Sequence, residues 1–261
     1  GFAGAADLLT VSAAATLLIV LLAGLGAWLF GVPKRALGTF VQGAFRGNMG
    51  FIGLPVVVYA FSAAGGADST AATSALLVFG PMVVLYNLLA VLVLLSSGEA
   101  AEASGGGAGA ALRRAAYGWL SNPILLACLG GLLFALLEIG LPAFARRGLA
   151  AVGQLALPSA LLCIGAALHT ARVQGSLPTA VAASILKVAL LPVIGLLLAR
   201  WVGLSADLTR IALIFLACPT ASASYVLAQQ LKGDAALASS IVVVSTVLAV
   251  PALVAVLAVT G

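Results

Sequence analysis

The sequence predicts an all-α polytopic membrane protein that consists of inverted five-helix repeats with two broken crossing helices, eight helices being present of an expected ten. Three observations carry this prediction. Of the 261 residues, 63% are hydrophobic and 7% charged, whereas a soluble domain has about a quarter charged residues. Two of the apolar stretches are interrupted by glycine, proline and polar residues at matching places, and a Gly/Ala/Ser-rich linker separates the two halves.

The apolar stretches between charges and turn residues predict the individual helices. A membrane-spanning helix needs about 20 mostly apolar residues, and the chain offers eight such spans, at 8–31, 37–62, 69–96, 118–138, 148–169, 176–200, 208–231 and 235–260. The linker at 98–117 ends the first repeat (1–97) and precedes the second (118–261). More basic residues flank the linker side of the spans than the other side, which predicts a cytoplasmic linker.

A nearly constant offset relates the two halves. Pro55 precedes Pro219 by 164 residues, Asp68 precedes Asp234 by 166, and Lys34 precedes Arg200 by 166. The first three spans therefore map onto the last three, as inverted repeats in transporters do. The same offset places the partners of spans 118–138 and 148–169 almost entirely upstream of Gly1, so we expect two further helices there. An odd number of helices per repeat makes the halves antiparallel.

The charge and cysteine patterns exclude other classes of protein. The net charge is +5, but the basic residues are scattered singly or in pairs, as helix-flanking anchors are, so no nucleic-acid partner is expected. The three cysteines have neither disulfide nor zinc spacing, and no cofactor or metal site is predicted. All acidic residues fall at span ends or in loops, which gives no support for a carboxylate-based sodium or proton site in the visible spans.

The two interruptions predict a binding site. FRGNMGFIGLP (45–55) breaks the second span and ACPTASAS (217–224) breaks the seventh. Inside a bilayer, broken helices persist only where they are buried in protein or line a wet cavity. Half-helices that begin near Pro55 and Pro219 would point positive N-terminal ends at the membrane centre, where they can hold an anion. The simpler alternative is that these small residues allow close helix packing, but the matched pair favours a site.

Polar side chains at the same depth are the candidate ligands. Asn48, Thr220, Ser222 and Ser224 add hydrogen-bonding groups at the breaks. Lys187 lies about eleven residues into its span, near mid-membrane, where a charge costs at least ~2.5 kcal/mol and is functional by default; it either contacts substrate or neutralises a helix end.

Two further polar residues complete the predicted site. Arg46, at the end of the first half-helix, fits the charge-neutralising role better than substrate contact. Asn87 is either a helix-to-helix hydrogen bond or part of the site wall.

The broken-helix motifs resemble those of the auxin efflux carrier family in its shorter bacterial form, which is related to the bile acid/sodium symporter-like transporters. FRGNMGFIGLP is similar to the first broken helix of that family, SNPILLACLGGLL to the helix that opens its second half, and CPTASASYVLAQQLKGD to its second broken helix. The family has ten helices in two inverted repeats, whose fourth and ninth helices cross at mid-membrane. The substrate-binding residues that the resemblance implies are Asn48, Gly50, Pro55, Pro219, Thr220, Ser222 and Tyr225.

The resemblance also implies a function. Family members carry organic anions, and bacterial relatives are often labelled malate or malonate permeases. We therefore expect a carrier in the inner cell membrane that moves a small organic acid by alternating access, in the efflux direction. A sodium- or proton-coupled anion symporter is the alternative, and an intramembrane enzyme is a remote one. The expected partners are the organic acid and the lipid bilayer. The sequence does not decide whether the protein forms a homodimer.

Overall fold

The computed structural model describes residues 2–63, 69–97, 139–170 and 175–260, with a few positions between 130 and 137. The predicted linker at 98–117 and most of the predicted span 118–138 lie outside the described residues. The helices of the described part are α1 (Phe2–Leu29), α2 (Lys34–Phe45), α3 (Leu54–Ala63), α4 (Ser69–Leu95), α5 (Ala143–Thr170), α6 (Leu177–Ile185), α7 (Leu191–Val202), α8 (Ala206–Ala217), α9 (Ala223–Gln230) and α10 (Ala235–Thr260).

The described part is helical, and this confirms the predicted class of an all-α polytopic membrane protein. Four continuous helical stretches of the described part are long and apolar enough to cross a membrane: Gly4–Leu29, Thr73–Leu95, Leu177–Val202 and Ala235–Thr260. The third of these consists of α6, a π turn and α7. α1 packs against α2, α4 and α7, while α10 packs against α6, α8 and α9. The two broken helices, α2 with α3 and α8 with α9, lie among them, so their polar groups are covered by protein.

The outer faces of these helices carry large apolar side chains. Leu21 and Leu25 of α1 and Val250 of α10 are more than half exposed, as lipid-facing positions of a membrane protein are. Trp28 and Trp201, 76% and 85% exposed, lie near the ends of α1 and α7. Tryptophan is enriched at both membrane–water interfaces, so these two side chains mark helix ends at the interface.

Two π-helical turns, at Met49–Gly53 and Leu186–Leu190, interrupt the helical ladders. Each is followed by a Leu-Pro pair, Leu54-Pro55 and Leu191-Pro192. Proline cannot donate to the carbonyl four residues earlier, and its ring collides with that carbonyl. A wider turn directly before the proline relieves this conflict, and single π turns recur at functional sites in proteins.

The first break lies inside the interruption that the sequence predicts at 45–55. The chain leaves the helix at Arg46, and the next helical turn begins at Met49 with Asn48 as its cap. Pro55 is the second residue of α3, which begins at Leu54, so this α-helix starts near Pro55 as predicted, one π turn beyond the break. Because Pro55 has no N–H, it shapes the π turn that precedes it.

The offset between the halves is also not constant. The end of α7 lies 173 residues after the end of α1, and the end of α8 lies 172 after the end of α2. The start of α10, in contrast, lies 166 residues after the start of α4. The difference arises after the break, where the first broken helix is longer than the eight-residue α9. Before the break the offset is 172 to 173, so Pro219 corresponds to Arg46 or Gly47 and not to Pro55.

Candidate binding site at the helix crossing

The two broken helices meet through their backbones. Gly47 pairs with Thr220 in an isolated antiparallel bridge. On either side of this pair, the Asn48 N–H donates to the Pro219 carbonyl (2.8 Å) and the Ala221 N–H donates to the Arg46 carbonyl (2.9 Å). The polar backbone groups freed by one break are thus satisfied by the other, which is why both breaks can be buried.

Side chains reinforce this bridge. The Thr220 hydroxyl donates to the Gly43 carbonyl (2.7 Å), and the Thr220 N–H donates to Ser245 Oγ (3.0 Å). Gln42 Nε2 donates to the Ser224 carbonyl (3.0 Å). Sequence reasoning missed Gln42 and Ser245, although Gln42 lies four residues before Arg46 and therefore on the same helix face.

Asn48 acts on the backbone of its own turn. Its side-chain oxygen accepts a hydrogen bond from the Phe51 N–H (3.2 Å), as an N-cap residue does. The side chain is 8% exposed. Asn48 therefore fixes where the second half-helix begins.

Lys187 is completely buried beside the second break. Its ammonium group donates to the carbonyl of Leu216 (2.5 Å), near the C-terminal end of α8. A helix C-terminus carries partial negative charge and favours a cation. A Cβ at Gly47 would lie 3.2 Å from Lys187 Nζ, so the ammonium group is close to the backbone of the bridge as well.

Arg46 reaches the other end of the bridge. Its Nη2 donates to Asn87 Oδ1 on α4 (2.5 Å), and its Nη1 donates to the Ala223 carbonyl at the start of α9 (3.4 Å). Asn87 Nδ2 in turn donates to the Val83 carbonyl (2.9 Å) of its own helix. Arg46 is 7% exposed, so the guanidinium group is almost withdrawn from solvent.

The crossing has a positive electrostatic balance. Among the buried polar side chains of the described residues, Arg46 and Lys187 are the charged ones, and none is a carboxylate. The described acidic residues, Asp7, Asp207 and Asp234, lie at or near helix starts and are not buried. Two buried cations without a carboxylate in the described part of the chain favour an anion.

Backbone donors remain free at both ends of the bridge. In the described structure, the N–H groups of Met49 and Gly50, and those of Ser222 and Ala223, donate to no protein acceptor. They belong to the first turns of the two second half-helices, where N–H groups have no intrahelical partner. Such first turns bind anions through these donors and the positive end of the helix.

The remaining predicted residues are less engaged. Gly50 is half-buried against Phe79, and Ser222 is exposed without a side-chain cap. Tyr225 is 37% exposed, and its hydroxyl accepts a hydrogen bond from Gln229 (2.8 Å). The structure thus brings together at the crossing Arg46, Asn48, Asn87, Lys187, Pro219, Thr220 and Ser224. Pro55 lies seven residues beyond Asn48, in α3.

An all-α bundle of lipid-facing helices with two broken helices crossing in its interior defines a polytopic membrane transporter. A sequence model described as membrane transport protein matches residues 111–257, more than half of the chain. The chain belongs to this family, which is that of the auxin efflux carriers. No curated protein matches the chain.

Proposed function

We propose that the protein is a secondary carrier that moves a small organic anion by alternating access at the crossing, in the efflux direction, across the inner cell membrane. The observation that carries this proposal is the pair of buried cations, Arg46 and Lys187, at a crossing that has no buried carboxylate among the described residues. A carboxylate substrate is the chemical group that balances this charge.

The free first-turn N–H groups support the same class of substrate. Carboxylates accept hydrogen bonds and carry no donor when ionised, so they suit Met49, Gly50, Ser222 and Ala223, whose N–H groups face no protein acceptor in the described structure. A cationic or neutral donor-rich substrate would instead leave these donors unpaired. An anion therefore fits both the charge and the hydrogen bonds.

The position of Lys187 favours uniport over sodium coupling. In transporters with broken helices, unwound carbonyls and half-helix C-termini coordinate the coupling sodium ion. Here the ammonium group of Lys187 already binds the Leu216 carbonyl at such an end. We therefore expect transport without sodium.

The test is flux from proteoliposomes of the purified full chain, loaded in turn with malate, malonate and indole-3-acetate. We expect at least one acid to leave faster than from protein-free liposomes, at the same rate in sodium and in N-methylglucamine buffer. Flux that requires sodium would replace uniport by the symporter alternative. Absence of flux for all three acids would contradict the proposed carrier function.

A further inference from the structure

The two buried cations lie in different surroundings. Lys187 is fully enclosed and bonded to the negative end of α8, which offsets part of its charge. The Arg46 side chain reaches instead to the N-terminal end of α9, which carries partial positive charge. Its shorter hydrogen bond goes to the neutral amide oxygen of Asn87 on α4. Arg46 is thus the cation whose charge has no balancing group among the described residues.

The surroundings of Arg46 hold unused hydrogen-bonding groups. The Ser222 and Ala223 N–H groups have no protein acceptor in the described structure. Ser224 Oγ and Gln42 Oε1 are fully buried and have no partner, although Gln42 Nε2 bonds to the Ser224 carbonyl. Buried polar groups are nearly always hydrogen-bonded in native structures, so Ser224 Oγ and Gln42 Oε1 are groups that a bound ligand can satisfy.

We infer that Arg46, at the N-terminal end of α9, binds the carboxylate of the substrate, and that Asn87 Oδ1 takes the place of that carboxylate when the site is empty. This inference rests on the proposed carrier function and deepens it. A guanidinium group offers five N–H donors in a planar fork that matches a carboxylate, and Arg46 uses two of them on the protein. The exposed Ser222 and Ala223 form the open side of this site.

The inference assigns Lys187 to a positioning role. The ammonium group holds the end of α8 beside the bridge, and it is sealed from solvent. The role predicted for Arg46 is therefore reversed, since Arg46 binds the anion. Of the two roles that the sequence left open for Lys187, neutralising a helix end is the one assigned. Asn87 belongs to the site because it competes with the substrate for Arg46.

Asn87→Asp is the decisive variant, because it tethers a carboxylate next to Arg46. We expect flux of the acid that the wild type carries to fall to the level of protein-free liposomes, while the unfolding temperature stays at or above that of the wild type. Gln230→Glu, an exposed amide-to-carboxylate change at the end of α9, is the control and keeps wild-type flux. A folded Asn87→Asp protein with wild-type flux would overturn the inference.

Variants of the two cations separate binding from folding. We expect Arg46→Gln to raise KM by about 10- to 100-fold, because this variant loses one or more charge-assisted hydrogen bonds to the substrate. We expect the KM of Arg46→Lys to lie between that of Arg46→Gln and that of the wild type. Lys187→Met should lower the unfolding temperature, because it removes the cation at the end of α8, and should raise KM less than Arg46→Gln does. An unchanged KM in Arg46→Gln, or an equal rise in Lys187→Met, would overturn the inference even if Asn87→Asp fails to fold. Absence of flux in the wild type would instead overturn the proposed function, and this inference with it.

Discussion

Gly47 shows at the scale of a single residue why the first break contains glycine. A Cβ at this position would lie 3.2 Å from Lys187 Nζ and 3.3 Å from the Phe215 carbonyl. Such contacts are tighter than side chains normally make, and both neighbours are fixed: the lysine by its bond to Leu216 and the carbonyl by α8. The absence of a side chain is therefore what lets the two backbones pair.

Gly47→Ala is expected to destabilise the protein and to impair transport, since Lys187 or the end of α8 must move. Overpacking of this kind costs about 1–3 kcal/mol, which thermal unfolding of the detergent-solubilised protein measures. Gly24→Ala on α1 is the matched control, because its Cβ would meet nothing within 4 Å. Equal unfolding temperatures for Gly47→Ala and the wild type would contradict the close packing.

At the scale of elements, α2 is the helix on which the crossing depends. It packs against α1, α4, α6 and α10, and most of its residues are buried. Two of its glycines allow the closest approaches: Gly38 faces the end of α4, and Gly43 faces Ile241 of α10. Small residues at helix interfaces permit this in membranes, where dispersion contacts and hydrogen bonds replace the hydrophobic effect between helices.

Gly38→Ala is expected to push α2 away from α4. The new Cβ would collide with the Val93 carbonyl oxygen and would lie 2.8 Å from Leu94 Cα. Because these are backbone atoms, no side-chain rotation relieves the clash, and we expect a loss of about 1–3 kcal/mol in the free energy of unfolding.

Gly26→Ala on α1, whose Cβ would come no closer than 4.0 Å to Phe30, is the matched control for this variant. Thermal unfolding of both variants in the same detergent provides the comparison. A wild-type unfolding temperature for Gly38→Ala would show that α2 and α4 are not in close contact.

At the scale of the whole molecule, the direction of net transport by the proposed uniporter depends on the membrane potential and on the concentration gradient of the anion. One elementary charge moved across 100 mV is worth about 2.3 kcal/mol. At 100 mV, inside negative, a monovalent anion carried alone therefore reaches a ratio of outside to inside concentration of about 50 at equilibrium. A divalent anion reaches the square of this ratio.

A potassium gradient with valinomycin sets this potential in proteoliposomes, and the final distribution of the transported acid is measured at several voltages. We expect the logarithm of the ratio to rise linearly with voltage, with a slope that gives the charge carried per cycle. Because a final distribution does not depend on how the protein is inserted, mixed orientation is no obstacle. A ratio independent of voltage would show electroneutral transport and would contradict uniport.

The sequence by itself determined the class, because composition and hydrophobic span length depend on local physical chemistry. The apolar spans predicted α4 and α10 to within one residue and α1 with a start six residues too late. The glycines, prolines and polar residues predicted which two helices break. The tertiary structure alone decided which residues meet at the crossing. Pro55 was matched to Pro219 by spacing, yet Gly47 faces Thr220, because the second half of the first broken helix is longer and shifts the offset after the break. The partners of Arg46, Lys187 and Gln42 lie 29 to 182 residues away in sequence, a separation that no local pattern encodes.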